Sequence, residues 1–257
     1  MIRLPPHAAG MRIGLFGGTF DPPHRAHVAA SMLALKRLKL DRVWWLVTPG
    51  NPLKDTDGLA PLAERIVAAR ALTHDPRIDV TGFEADLGVR YSYDTVAYLR
   101  ARCPEVRFVW IMGADNLRSF HRWQKWRGIA DLVPIAVIDR LGPSLYSIGG
   151  VASQALARAR IRESDAASLA DRRPPAWVFV HGLKSPLSST ALRAQRGRGP
   201  GDGVGDGAGD GHDDAAGARG SHKSAAESGE NATVVAPSAV ADPADGLRRA
   251  RRLAPGT

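Results

Sequence analysis

Gly17-Gly18-Thr19-Phe20-Asp21-Pro22-Pro23-His24-Arg25-Ala26-His27 joins two apolar segments of different character. Before it, Met11-Arg12-Ile13-Gly14-Leu15-Phe16 reads as a buried strand. After it, the stretch from Val28 to Leu38, with Val28, Met32, Leu33, Leu35 and Leu38, reads as a helix. A strand, a glycine turn and a helix opening are the parts of a phosphate site. Glycine lets the backbone approach an anion closely, and the helix start offers free N–H groups and the positive end of the dipole. His24 and His27 stand three residues apart at that start, so they project from one face toward the same spot. The segment predicts a nucleotide-phosphate site with two imidazoles aimed into it.

Two commoner phosphate motifs do not fit. The Walker form ends in Gly-Lys-Ser/Thr and the dinucleotide fingerprint reads Gly-x-Gly-x-x-Gly; neither follows this strand. A His-x-x-His pair can also hold zinc. Zinc takes three or four ligands, however, and the single cysteine, Cys103, has no partner nearby in sequence. No protein-held metal is expected.

Outward from this turn, strand-like and helix-like segments alternate. Strands are predicted at 11–17, 42–48, 78–84, 106–112, 134–139 and 177–181, and helices at 25–38, 60–73, 93–102, 115–131 and 151–162. Val43-Trp44-Trp45-Leu46-Val47 and Val106-Arg107-Phe108-Val109-Trp110-Ile111-Met112 are nearly continuously apolar, as strands covered on both faces must be. The fold class that follows is α/β, a doubly wound parallel sheet of about six strands, with ligands at the carboxyl ends near the switch point.

Polar motifs follow those ends. Pro49-Gly50-Asn51-Pro52-Leu53-Lys54 comes after the second strand, and Gly113-Ala114-Asp115-Asn116-Leu117, leading to Phe120 and Trp123, after the fourth. Asp139-Arg140 follows the fifth, and Ser188-Ser189-Thr190-Ala191-Leu192-Arg193 the sixth. Each is a weak signal alone, and their recurrence at strand ends is the stronger one. In the last motif a Ser/Thr cap opens a helix, and Arg193, three residues beyond Thr190, can grip a phosphate in bidentate fashion beside the free N–H groups.

Composition divides the 257 residues unevenly. From Gly197 to Gly211 every second residue is glycine, and beyond 196 there is no Phe, Trp or Tyr and only six Val, Leu or Ile. Such a segment buries too little apolar surface to offset its ordering entropy, so 197–257 is expected to be a disordered tail. Residues 11–196 then form a single folded domain, and 1–10, with Pro5-Pro6 and Gly10, a loose extension. Met11 is a conceivable start of its own. The tail carries seven Lys/Arg and nine Asp/Glu, so 1–196 holds 28 basic and 17 acidic side chains. A basic fold suits polyanionic ligands. No basic run is interleaved with aromatics as in a single-strand binding surface, so small phosphorylated substrates are expected rather than nucleic acid. One cysteine fits a reducing compartment, no apolar run is long enough to span a membrane, and no signal-peptide pattern is present, so the cytoplasm is expected. The oligomeric state stays open.

The motifs together resemble a known family. Gly-Gly-Thr-Phe-Asp-Pro-Pro-His-x-x-His resembles the His-x-Gly-His signature of nucleotidyltransferases with a Rossmann-like fold, most closely the bacterial nicotinate-nucleotide adenylyltransferases, with Ala26 where the family usually has glycine. Ser188 to Arg193 is similar to the family's second signature. The resemblance, which runs over 11–196, implies His24, His27 and Arg193 as catalytic residues. For ATP it implies Gly17, Gly18, Thr19, Phe20, Gly113, Asp115, Arg140, Ser189 and Thr190; for the acceptor, Lys54, Tyr91 and Ser92, with Trp123 stacking on the pyridine ring. It implies ATP and nicotinate mononucleotide as substrates, with Mg²⁺ carried on ATP. The alternatives are nicotinamide mononucleotide or phosphopantetheine as acceptor, or a non-catalytic nucleotide- or RNA-binding protein.

Overall fold

The structure, a computed structural model, describes residues 2–50, 58–139 and 149–182. Six strands form one sheet: β1 (Arg12–Gly18), β2 (Arg42–Val47), β3 (Ile78–Thr81), β4 (Arg107–Gly113), β5 (Ile135–Ile138) and β6 (Trp177–Val180). Their order is β3-β2-β1-β4-β5-β6, and every pairing is parallel. The chain therefore builds outward from β1 on one side, returns, and builds outward from β4 on the other. The switch point lies between β1 and β4, paired from Arg12 with Arg107 to Phe16 with Ile111.

The near-continuous apolar strands feed two cores at once, because successive side chains leave a strand on opposite faces. Ile13, Leu15, Trp44, Leu46, Phe108, Trp110 and Met112 enter one core, with Val96 and Leu99 of α4 (Ser92–Arg102) and Ile129 of α6 (Trp126–Leu132). Phe16, Val43, Trp45, Val47, Val109 and Ile111 enter the other, with Ala30, Ala34 and Leu35 of α1 (Arg25–Arg37) and Ala69 of α2 (Leu62–Leu72). The remaining α-helices among the described residues are α3 (Phe83–Leu87), α5 (Ala114–Ser119) and α7 (Val151–Ala155).

The expected Rossmann-like sheet is present, but four segments differ from the sequence reading. β3 ends at Thr81, whose Oγ1 accepts from the Phe83 N–H at 3.3 Å, and the chain turns into α3 instead of extending to 84. The predicted helix at 115–131 is three pieces: α5, a 3₁₀ turn at Phe120–Arg122, and α6. Phe120, Trp123 and Trp126 are three residues apart, and the 3₁₀ turn lets them converge: Phe120 lies 5.4 Å from Trp123 and 5.6 Å from Trp126. Lys125, at φ 50°, makes the break, with its Nζ 4.7 Å from the Tyr93 ring centre. The helix predicted at 151–162 is α7 and a 3₁₀ turn at Ala157–Ala159, and a second 3₁₀ helix, Glu163–Asp171, buries Ala166, Leu169 and Ala170.

The N-terminal extension is packed rather than loose. Ile2 and Leu4 lie against the first core, the Gly10 N–H donates to Glu105 C=O at 3.0 Å, and His7 Nε2 sits 3.5 Å from Cys103 Sγ. Prolines and polar residues gave the segment its loose composition, while two apolar side chains suffice to anchor it. Among the described residues no helix is long and apolar enough to cross a membrane. The proposed tail, 197–257, lies outside the described residues.

Candidate functional site

The carboxyl ends of β1 and β4, where the sheet switches direction, carry Gly17-Gly18 and Gly113. This is where ligands seat in open parallel sheets. Gly17 and Gly18 also answer to aromatic rings. A Cβ on Gly17 would stand 3.1 Å from the Trp110 ring, and one on Gly18 would stand 3.3 Å from the Phe20 ring. Phe20, at φ 49°, stacks on Trp45 at 4.9 Å and 19°, and also meets the His27 ring at 4.8 Å and the Phe16 ring edge-on at 6.0 Å.

His24 is the N-cap of α1, in extended conformation at φ −148° and ψ 164°, and His27 lies in the first turn. The His24 N–H donates to His27 Nδ1 at 3.2 Å, and the His27 N–H donates to His24 C=O at 2.8 Å. Histidine here takes the part glutamate plays in a capping box. Because Nδ1 of His27 accepts, a neutral ring carries its proton on Nε2. The two rings are 3.9 Å apart at 30°, with His24 5% and His27 8% exposed. Two imidazoliums so close repel, so the pair suits an anion in front of it. Below them, Trp45 Nε1 donates to Ser31 Oγ at 2.8 Å and Ser31 Oγ donates to His27 C=O at 2.9 Å, which fixes the first turn from behind.

On the β4 side Gly113 is the N-cap of α5, and Asp115 stands exposed in the first turn. Trp123 is half-buried, edge-on to Trp110 at 6.2 Å and 88°. Trp110 lies under Gly17, so packing links the two motifs. Tyr91 is the extended N-cap of α4, and its C=O accepts from Asp94 and Thr95 N–H at 3.0 and 3.3 Å. Ser92 opens that helix. Burial pushes the Asp94 carboxyl above its ordinary range, against the pull of Lys125.

Thus the described residues bring His24, His27, Gly17, Gly18, Thr19 and Phe20 together at β1, with Gly113 at the strand beside it. Lys54, Arg140, Ser189, Thr190 and Arg193 lie outside the described residues. Two groups were not singled out in the sequence. Arg65, 3% exposed in α2, donates to four carbonyls: Nε to Ala60 at 2.7 Å, Nη1 to Thr19 at 2.7 Å and Thr48 at 2.8 Å, and Nη2 to Pro49 at 3.2 Å. Glu84 in α3 accepts from Thr95 Oγ1 at 2.7 Å; burial pushes its carboxyl up, opposed by the Thr95 and Thr48 hydroxyls. An arginine and a glutamate inside ordinary helical sequence carry no local signal. Among the described residues no group of three or more His, Cys, Asp or Glu could hold a metal ion.

The cytidylyltransferase-like family matches residues 15–195. A Bradyrhizobium sp. (strain ORS 278) protein named "Probable nicotinate-nucleotide adenylyltransferase" is 62% identical over 183 residues, 71% of this chain and 95% of that protein. An identically named protein of Agrobacterium fabrum (strain C58 / ATCC 33970) is 57% identical over 183 residues, 71% of this chain and 98% of its own length. Among solved structures, Plasmodium falciparum nicotinic acid mononucleotide adenylyltransferase complexed with NaAD is similar in fold. It has a TM-score of 0.50 and 17% identity, over 72% of this chain and 83% of that one.

Proposed function

The chain belongs to the cytidylyltransferase-like family, and from that premise we propose that it transfers the adenylyl group of MgATP to nicotinate mononucleotide. The products are pyrophosphate and the deamido dinucleotide of NAD biosynthesis. The observation that carries this reading is the close, tilted His24–His27 ring pair at the start of α1, over the glycine turn at the switch point. The names and high identity of the relatives support it.

The chemistry suits these groups. A phosphate monoester is already mostly dianionic at neutral pH, since its second pKa is about 6, so it attacks the α-phosphorus of ATP without a catalytic base. The protein must align two polyanions that repel each other and neutralise charge as pyrophosphate leaves. In this reading the N–H groups of Gly17 to Phe20 and the imidazoles of His24 and His27 receive the nucleotide phosphates. Arg193 grips the leaving phosphates, and Ser189 and Thr190 bind ATP. Gly113, Asp115 and Arg140 hold the rest of ATP. Lys54 meets the acceptor phosphate, Trp123 stacks on the pyridine ring, and the backbone at Tyr91 and Ser92 receives the nicotinate carboxylate, helped by the α4 dipole. Magnesium enters on the phosphates of ATP, as part of the substrate. A cytoplasmic location belongs to the proposal and rests on the single cysteine.

A panel of acceptors tests the assignment. The kcat/KM for nicotinate mononucleotide is expected to exceed that for nicotinamide mononucleotide by a wide margin, because the amide loses the charge and turns its own N–H donors toward backbone N–H groups. Equal values for acid and amide, or turnover of phosphopantetheine alone, contradict the acceptor assignment.

A further inference from the structure

Two successive carbonyls of the β1 turn are held from the same side. The Thr48 N–H donates to Gly18 C=O at 3.0 Å, and Arg65 Nη1 donates to Thr19 C=O at 2.7 Å. In a trans peptide the carbonyl and the following N–H point opposite ways. The bonds from β2 and α2 therefore turn the N–H groups of Thr19 and Phe20 the other way. Phe20 has the left-handed φ of 49° that lets successive N–H groups converge into an anion-binding concavity.

Arg65 is built into this place at some cost. Its guanidinium has five N–H donors, and the four bonds are to carbonyls, with no carboxylate among the acceptors. Burial pulls its pKa below the ordinary arginine value, and the charge of Asp21 opposes that. Asp21 itself ties the turn to α2, since its Oδ2 accepts from the Ala60 N–H at 3.3 Å. Arg65 thus spans the turn after β1, the end of β2 and the entry to α2. Lysine offers its donors from one point and cannot span three loops in this way.

We infer that Arg65 is a positioning residue for the nucleotide phosphates, acting through the Thr19 carbonyl to aim the backbone N–H groups of the β1 turn. It touches no substrate. The inference rests on the proposed nucleotide site but not on which acceptor is used.

Calorimetric binding of MgATP, without acceptor, to the full chain is the test. Arg65→Ala should weaken binding roughly tenfold, the worth of about one oriented donor to an anion. Guanidinium chloride at ~20 mM, far below its denaturing range, should restore much of that loss, and the same concentration of NaCl should not. Arg65→Lys, which keeps the charge but cannot span the three loops, should fold with a lowered melting temperature, bind as weakly as Arg65→Ala, and gain nothing from guanidinium. If Arg65→Ala does not fold, Arg65→Lys decides alone. Binding within twofold of the wild type in the folded variant, or a loss in Arg65→Ala that guanidinium leaves unchanged, overturns the inference. A wild-type chain that binds no MgATP overturns the nucleotide site itself, a separate outcome.

Discussion

His27, proposed above to meet the nucleotide phosphates, is held from several sides. Its Nδ1 is occupied by the His24 N–H, its carbonyl by Ser31, and its ring lies between Phe20 and His24. Each contact fixes the orientation of the ring. His27→Ala is expected to lower turnover by ~10²–10³, the usual worth of one preorganised donor at a reacting oxyanion. The melting temperature should fall modestly, since the buried ring packs on Phe16, Phe20 and Trp45 and its Nδ1 caps the His24 N–H, while the variant stays folded. Steady-state pyrophosphate release by the purified, folded variant reads the outcome, and near-normal turnover removes His27 from the chemistry.

At the scale of elements, Glu84 ties α3 to α4 through Thr95 and to the end of β2 through Thr48. Burial raises its pKa above the unfolded value, so the folded state holds this proton more tightly. The associated stability is present below the ordinary glutamate range and is lost as pH rises through the raised value. Glutamine cannot lose a proton there. The melting temperature of Glu84→Gln relative to wild type should therefore become more favourable between about pH 5 and pH 8. Asp94 shifts in the same direction but is common to both proteins, so it cancels. A difference that stays flat with pH would mean Glu84 does not titrate across that window.

Five strands were legible at this scale because each is a dense apolar run, whereas β3, Ile78-Asp79-Val80-Thr81, alternates and its end was misplaced; α1, α2 and α4 were legible because their boundaries coincide with the ends of apolar patterns. The β1 turn was legible because glycine, proline and histidine act locally. The break at Lys125 was not: it exists so that Phe120, Trp123 and Trp126 converge on one core, and that requirement is tertiary. Arg65 was hidden for the same reason, since its four acceptors come from three separate loops. The packing of Ile2 and Leu4 against the core likewise depends on a surface only the fold creates.

For the molecule as a whole, the relatives concentrate the function in one part of the chain. The Agrobacterium protein matches 71% of this chain while spending 98% of its own length, and the family match ends at residue 195. Beyond 196 the sequence offers six aliphatic Val, Leu or Ile residues and no aromatic. Truncation after Arg196 should leave kcat unchanged and move the melting temperature by less than ~2 °C, under ~1 kcal/mol for a domain of this size. A drop of several degrees would mean that 231–253, with Val234, Val235, Val240, Leu247 and Leu253, covers part of the core.

The central claim is adenylyl transfer at the β1–β4 switch point, and the fate of the ATP α-phosphate tests it most directly. Full-length protein is incubated with ATP labelled at the α-phosphorus, magnesium and nicotinate mononucleotide, and the label is followed chromatographically. The label is expected to move into the deamido dinucleotide, with one pyrophosphate released per dinucleotide formed. Label that stays in ATP, or appears only as AMP or ADP, would contradict it.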